Sequence, residues 1–150
     1  MSPSTWGPPT WIFIHTLAEK IKDESFPIIG QHVIMSIIQI CNNLPCPECA
    51  QHAKEFWAKV KLSSIKTKTD LVNVLFVFHN TVSKRKGLRP FKYDNLKYYQ
   101  SRNVIETYNA FSRTFNTKGN MNLLTESFHR NLFLKSFRKT LMNIMNHFNL

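Results

Sequence analysis

The segment Cys46-Pro47-Glu48-Cys49 places two thiols at a spacing that lets them act together. Side chains three residues apart share one face of a helix. With Cys46 as N-cap and Pro47 in the first turn, both sulfurs fall at a helix N-terminus. Backbone N–H groups and the helix dipole stabilise negative charge there. The thiolate is the reactive form, so this setting is expected to lower the cysteine pKa from its usual ~8.5. The first cysteine is expected to be the more exposed and to meet other proteins, and the second to point into the fold. On its own such a pair fits a redox dithiol, half of a metal site or a structural role. A zinc site would add two of the six histidines, such as His52 one turn after Cys49 and His79 on another helix. No second pair stands at zinc-finger spacing. A thioredoxin-like reading needs a preceding strand, whereas Val33 to Cys41 reads as helix.

Two further histidines sit among aromatic rings. His15 follows Trp11 by four residues on the same helical face, and His79-Asn80 ends an apolar stretch with Val82 and Ser83 one turn on. A lone histidine on an apolar face is usually a satisfied core residue. Two of them, with Trp6 and Trp11, offer the flat surfaces that suit a large aromatic cofactor. A dithiol passes electrons poorly to oxygen, whereas a flavin accepts two electrons from thiols and reacts with O₂.

Helices must position these groups. An apolar stripe of Trp11, Ile14, His15, Ala18 and Ile21 predicts a helix over 8–23, opened by Pro8-Pro9. A break at Glu24-Ser25-Phe26-Pro27 precedes a second helix over 28–43, with Val33, Ile34, Ile37, Ile38 and Cys41 on one stripe. A third helix over 47–61 carries Ala50, Ala53, Trp57 and Val60. Ser63 to Thr69 reads as a polar connection and Asp70 as an N-cap. A fourth helix over 71–86 aligns Leu71, Leu75, Phe78 and Val82 and ends at Gly87. Beyond residue 93 two amphipathic helices are expected to pack on the core or on a second subunit. One carries Val104, Tyr108, Phe111 and Phe115, the other Phe137, Leu141, Ile144 and Phe148, with a turn at Thr117-Lys118-Gly119-Asn120 between them.

Composition bounds the answer. The 150 residues are 43% hydrophobic and include 12 Phe, 4 Tyr and 3 Trp, enough for a core and against whole-chain disorder. Four glycines leave little room for a Gly-rich phosphate loop, and neither nucleotide-binding glycine motif occurs. Three cysteines are too few for a disulfide-stapled secreted scaffold. The odd one, Cys41, lies on the apolar stripe of the second helix and reads as a buried free thiol. No secretory signal is expected from Met1 to Pro9, and no apolar stretch reaches the about 18 residues of a membrane span. The formal net charge is +11, with the excess densest after residue 95. A solvated cationic surface explains it, with an acidic partner or anionic cofactor as the alternative. No nucleic-acid motif accompanies it.

Three motifs together resemble one family. Trp6-Gly7-Pro8-Pro9-Thr10-Trp11, running on to His15-Thr16-Leu17-Ala18, resembles the W-G-x-x-x-W-x-x-x-H-T-L-A opening of the Erv/ALR FAD-linked sulfhydryl oxidases. Leu44-Pro45-Cys46-Pro47-Glu48-Cys49-Ala50 is similar to their active-site C-x-x-C. Phe78-His79-Asn80-Thr81-Val82-Ser83 is similar to their H-N-x-V-N. The motifs keep family order and spacing over roughly residues 5–95. The resemblance implies an all-α four-helix bundle with a short fifth helix, holding FAD, with residues 1–95 as the oxidase core and 96–150 as a C-terminal helical extension. It implies that Trp6, Gly7, Trp11 and His15 contact FAD and that His79, Asn80 and Val82 lie around its adenine and ribose. Cys49 matches the cysteine beside the flavin, and Cys46 the one that exchanges disulfides with the substrate. Ser83 departs from the family Asn. Lys86 or Arg89 is expected at the FAD phosphates, and His52 is a further candidate contact.

The chain lacks the distal cysteine pair and the structural disulfide of cellular members. It most resembles the compact versions of large cytoplasmic DNA viruses. That resemblance implies a homodimer, O₂ and a thiol protein as partners, the latter fitting a small virus-encoded redox protein. It implies no membrane and no nucleic acid, and location in the host cytoplasm or virion, with the mitochondrial intermembrane space as the weaker alternative. A helical zinc- or nucleic-acid-binding module using the basic surface is the competing reading.

Overall fold

The computed structural model describes residues 3–116 and 121–150. The turn expected at Thr117 to Asn120 lies outside the described residues. Among those described the chain is all-α. Four helices, α1 (Pro3–Lys20), α2 (Phe26–Asn42), α3 (Pro47–Ala58) and α4 (Lys68–Arg85), are followed by a short α5 (Lys97–Gln100), then α6 (Val104–Phe115) and α7 (Met121–Asn143). Val74 to Phe78, ambiguous with a buried strand in isolation, lies inside α4.

α1 is the axis of the molecule. Every residue from Phe13 to Lys20 is buried, because α1 packs against α2, α4, α5 and α6. One stripe therefore described only part of its buried surface. His15, Ile14, Ala18 and Ile21 are buried as expected, but Phe13 and Leu17 on the other side are equally so. The helix starts at Pro3, not at residue 8, and keeps Pro8 and Pro9 inside it. Their missing N–H groups fall opposite the carbonyls of Ser4 and Thr5, in the exposed first turn, where the loss is cheap. Buried Trp6 and the Thr10 hydroxyl, which donates to the Trp6 carbonyl at 2.7 Å, hold this early turn in place.

Other boundaries shift for local reasons. A 3₁₀ turn over Asp23–Ser25 follows α1, and α2 begins at Phe26 with Pro27 in its first turn. Thr67, not Asp70, caps α4. The Asp70 N–H donates to Thr67 Oγ1 at 3.1 Å, and Asp70 Oδ2 accepts from the Thr67 N–H at 3.1 Å. This reciprocal capping box starts the helix three residues before the apolar stripe. At the other end Gly87 has φ +69°, the left-handed conformation that favours glycine. The Leu88 N–H reaches the Ser83 carbonyl at 2.8 Å and the Gly87 N–H the Lys84 carbonyl at 3.1 Å, a Schellman closure.

The C-terminal helices pack on the core. Phe111 stacks on Phe13 at 4.9 Å, and Phe137 meets the same ring edge-on at 5.8 Å. Val104, Tyr108, Phe111 and Phe115 are all buried. α7 stops at Asn143, so Ile144 and Phe148 lie beyond it, Phe148 buried after a 3₁₀ turn over Met145–His147. The chain then pairs with the end of α1: the Lys22 N–H donates to the His147 carbonyl at 2.9 Å and the Asn149 N–H to the Lys20 carbonyl at 2.6 Å. No helix among the described residues is long and apolar enough to cross a membrane.

Candidate functional site

Cys46 is the N-cap of α3, in extended conformation, and Pro47 opens the helix. The Cys49 N–H donates to Cys46 Sγ at 3.2 Å. One of the unpaired amides of the helix start thus points at the first sulfur, the geometry expected from the sequence. All three cysteines are free thiols.

The environment of Cys49 differs from the expectation. Burial pushes its thiol up to about 11, Cys46 adds to the rise, and Lys86 and Arg85 oppose it. Desolvation of the thiolate outweighs the helix N-terminus at this sulfur. Cys49 lines a narrow apolar cavity with Trp6, Gly7, Trp11, Val82, Arg85 and Lys86, and Cys46 stands outside that wall. Cys41 lines the same cavity from α2. It is buried, and burial raises its thiol to about 12, as suits an inert core cysteine.

The narrow cavity opens beside a larger cleft of ≈ 490 Å³, sharing Gly7, Trp11, Val82 and Lys86 with it. The cleft adds His79 and Ser83 from α4, and Leu88, Phe91 and Tyr99 from the chain beyond. Its floor is a stack of rings. His79 lies parallel to Trp11 at 4.1 Å and against Phe91 at 4.5 Å. His15, behind them, stacks on Tyr99 at 4.6 Å. A hydrogen bond of 2.9 Å joins His15 Nε2 to His79 Nδ1. It requires one ring to donate and the other to accept, so both rings cannot be doubly protonated. Burial, then proximity to His79, lowers His15 to about 3, and burial lowers His79 to about 4.

This neutral pair, His15 buried and His79 half-buried, makes the fold acid-sensitive. Unfolded histidine takes up a proton below about pH 6.5, while the folded pair does not until pH 4 and then 3. The unfolded chain therefore binds more protons in this window, and stability falls as pH drops through it. Urea midpoints of the cofactor-free protein are expected to fall from pH 7 to pH 4.5, less steeply in His79→Gln. Equal midpoints at both pH values would show that the histidines are not held neutral.

Two of the candidate residues sit elsewhere. His52 lines a separate cleft between α3 and α4 with Phe56, Val77 and Arg85, its ring 3.6 Å from Glu48 and 3.7 Å from Glu55. Arg89 is exposed and lines neither the cavity nor the cleft, unlike Lys86. Asn80 turns its amide to the backbone of Phe91. Arg85, not singled out from the sequence, lies one turn after Val82 on the stripe through Phe78, and extending that stripe would have found it. Among the described residues no group of three His, Cys, Asp or Glu stands ready to hold a metal ion.

The Erv1/Alr family model matches residues 8–103, well over half of the chain. The chain belongs to the Erv1/Alr family. Curated relatives agree with this assignment. The FAD-linked sulfhydryl oxidase of African swine fever virus (isolate Pig/Kenya/KEN-50/1950) is 26% identical over 102 residues, covering 68% of this chain and 85% of the relative. The probable FAD-linked sulfhydryl oxidase FPV093 of Fowlpox virus (strain NVSL) is 30% identical over 78 residues, covering 52% and 74%. The putative FAD-linked sulfhydryl oxidase 096R of Invertebrate iridescent virus 3 is 31% identical over 88 residues, covering 57% and 58%. No solved structure gives a significant match. The Erv1/Alr match begins at Pro8, just after Trp6 and Gly7, runs through the rest of the three motifs, ends in the loop before α6, and leaves α6 and α7 outside it.

Proposed function

We propose that this Erv1/Alr protein is an FAD-dependent sulfhydryl oxidase that forms disulfide bonds in partner proteins. The observation that carries the reading is the division of labour in the C-x-x-C: Cys49 is in the wall of an aromatic cavity and Cys46 is outside it. A partner thiolate attacks Cys46 Sγ of the Cys46–Cys49 disulfide, releasing Cys49 as a thiolate. The partner's second thiol then attacks the mixed disulfide and releases Cys46. The partner leaves oxidised, and the pair keeps two electrons and takes up two protons. Attack at Cys46 depends on the attacking thiolate fraction and on the leaving sulfur.

The cavity suits the cofactor. Trp6 Nε1 is buried with no hydrogen-bond partner among the described residues, a donor available to a polar ligand. Space beside Gly7 is open where a side chain would otherwise stand. Lys86 and Arg85 supply positive charge suited to a diphosphate. Trp6, Gly7, Trp11, His79, Val82, Ser83 and Lys86 would hold FAD, with His15 supporting His79 from behind. The chemistry that bound FAD supplies is acceptance of the electron pair from the dithiol and its delivery to O₂, giving H₂O₂.

Residues 1–95 form the oxidase core in this reading and 96–150 an extension. The exposed stripe of Ile28 and Met35 on α2 suits a homodimer. The relatives with this printed activity are viral, and in this reading the substrate is a virus-encoded redox protein and the place of action the host cytoplasm or virion. An anaerobic titration of the purified protein with a dithiol tests the function. Bleaching of a flavin spectrum, reversed by air, is expected. A colourless protein holding stoichiometric zinc through the cysteines would sink the reading in favour of a metal-binding module.

A further inference from the structure

We propose that Asn80 is a positioning residue whose amide pins the backbone of Phe91 and so builds one wall of the cofactor cleft without touching the cofactor. The inference rests on the flavin reading above. Asn80 lies near the end of α4, next to His79, where a direct cofactor contact was expected. Its side chain is engaged otherwise. Asn80 Oδ1 accepts the Phe91 N–H at 2.6 Å, and Asn80 Nδ2 donates to the Phe91 carbonyl at 3.1 Å. Both polar ends of one amide thus close on a single residue, as a neighbouring strand would.

That residue sits where restraint matters. After the Schellman closure at Gly87 the chain runs without helix from Leu88 to Lys92. Leu88 is held to Ser83 and Lys92 accepts from Asn95, and Phe91 lies between these ties. Phe91 and Leu88 line the cleft together with Trp11, His79, Val82 and Lys86. The Phe91 ring stacks on His79 at 4.5 Å and on His15 at 5.4 Å. Freed from Asn80, the segment would carry its ring off His79 and open the cleft to water. Asn80 therefore acts on how long the cofactor stays, through Phe91.

Three variants test this: Asn80→Ala, Asn80→Asp and Phe91→Ala. The readouts are hydrogen exchange of the Phe91 amide, in loaded and cofactor-free protein, and the rate of flavin release. Asn80→Ala is expected to speed Phe91 exchange roughly tenfold, the scale of a lost hydrogen bond, and to speed flavin release in parallel. Asn80→Asp keeps an acceptor for the Phe91 N–H but sets its second oxygen, an acceptor only, against the Phe91 carbonyl, so Phe91 exchange and flavin release are expected to rise together here too. A direct contact with the cofactor instead predicts flavin loss with Phe91 exchange in the cofactor-free protein unchanged. Fast flavin release in either Asn80 variant with Phe91 exchange unchanged, or fast Phe91 exchange with flavin release unchanged, overturns the proposal. If Asn80→Ala does not fold, Phe91→Ala decides: fast flavin release with Asn80 intact supports it, and wild-type release rejects it. Wild-type protein without flavin defeats the oxidase reading alone. Asn80 is then judged on Phe91 exchange in the two Asn80 variants.

Discussion

Changing Cys49 to serine is expected to stop dithiol-driven oxygen consumption, a fall of roughly 10³-fold or more in turnover, as for other essential nucleophile pairs. Cys49 is the sulfur in the cavity wall, and the serine hydroxyl can neither close the disulfide nor pass on an electron pair. Cys46→Ser should stop protein-substrate turnover equally, for a different reason. It removes the point of attack outside the cavity wall but leaves a thiol in that wall, so the two variants should differ in flavin spectrum while sharing the loss of rate. A third measurement separates the sulfurs without turnover. In reduced, cofactor-free protein, Cys49 is held up to about 11, so its alkylation should accelerate through the alkaline range. Unchanged oxygen uptake in Cys49→Ser would remove this cysteine from the mechanism.

The largest effect on stability is expected at Phe13. Its ring is fully buried and meets Phe111 at 4.9 Å, Tyr108 at 5.6 Å and Phe137 at 5.8 Å. Phe13→Ala removes the shared neighbour of α6 and α7, a change that costs about 3–5 kcal/mol in well-packed cores. Domains of ordinary stability have only ~5–15 kcal/mol in total. Phe111→Ala should cost a comparable amount, and the double variant less than the sum, since both remove the same stacked contact. Denaturant midpoints for the four proteins give the coupling directly. Strict additivity would mean that the extension is anchored elsewhere.

The parts legible from sequence were those set by neighbours in the chain. Pro47 after Cys46 and the apolar spacing that follows sufficed to place the cysteine pair at a helix start, and Gly87 marked the end of α4. The errors came where a distant group or a reciprocal pair decides. Trp6 and the Thr10–Trp6 bond extend α1 past two prolines that would otherwise open it. Thr67 and Asp70 cap α4 jointly, so neither reads as the cap alone. The rise in the Cys49 thiol depends on burial by α1, α2 and α4, which no local spacing reports. Phe13 looked like a residue off the main stripe because its partners lie about a hundred positions later. Asn80 sits inside a motif that the family resemblance assigns to the cofactor, and only the path of Phe91 reveals where its amide points.

The pairing of residues 147 and 149 with 22 and 20 bears on how the protein is made. The Ser25 hydroxyl and the His147 ring, 2.9 Å apart in space, are 122 positions apart in the chain. α1 is made before α2 to α7, and it gains its last buried neighbours only when the residues around Phe148 have followed. Until then Phe13, Leu17 and Ile21 wait with one side uncovered, during synthesis at roughly 5–20 residues per second. Such long-range closure slows folding, and it ties completion of α1 to arrival of the segment that the family match does not reach.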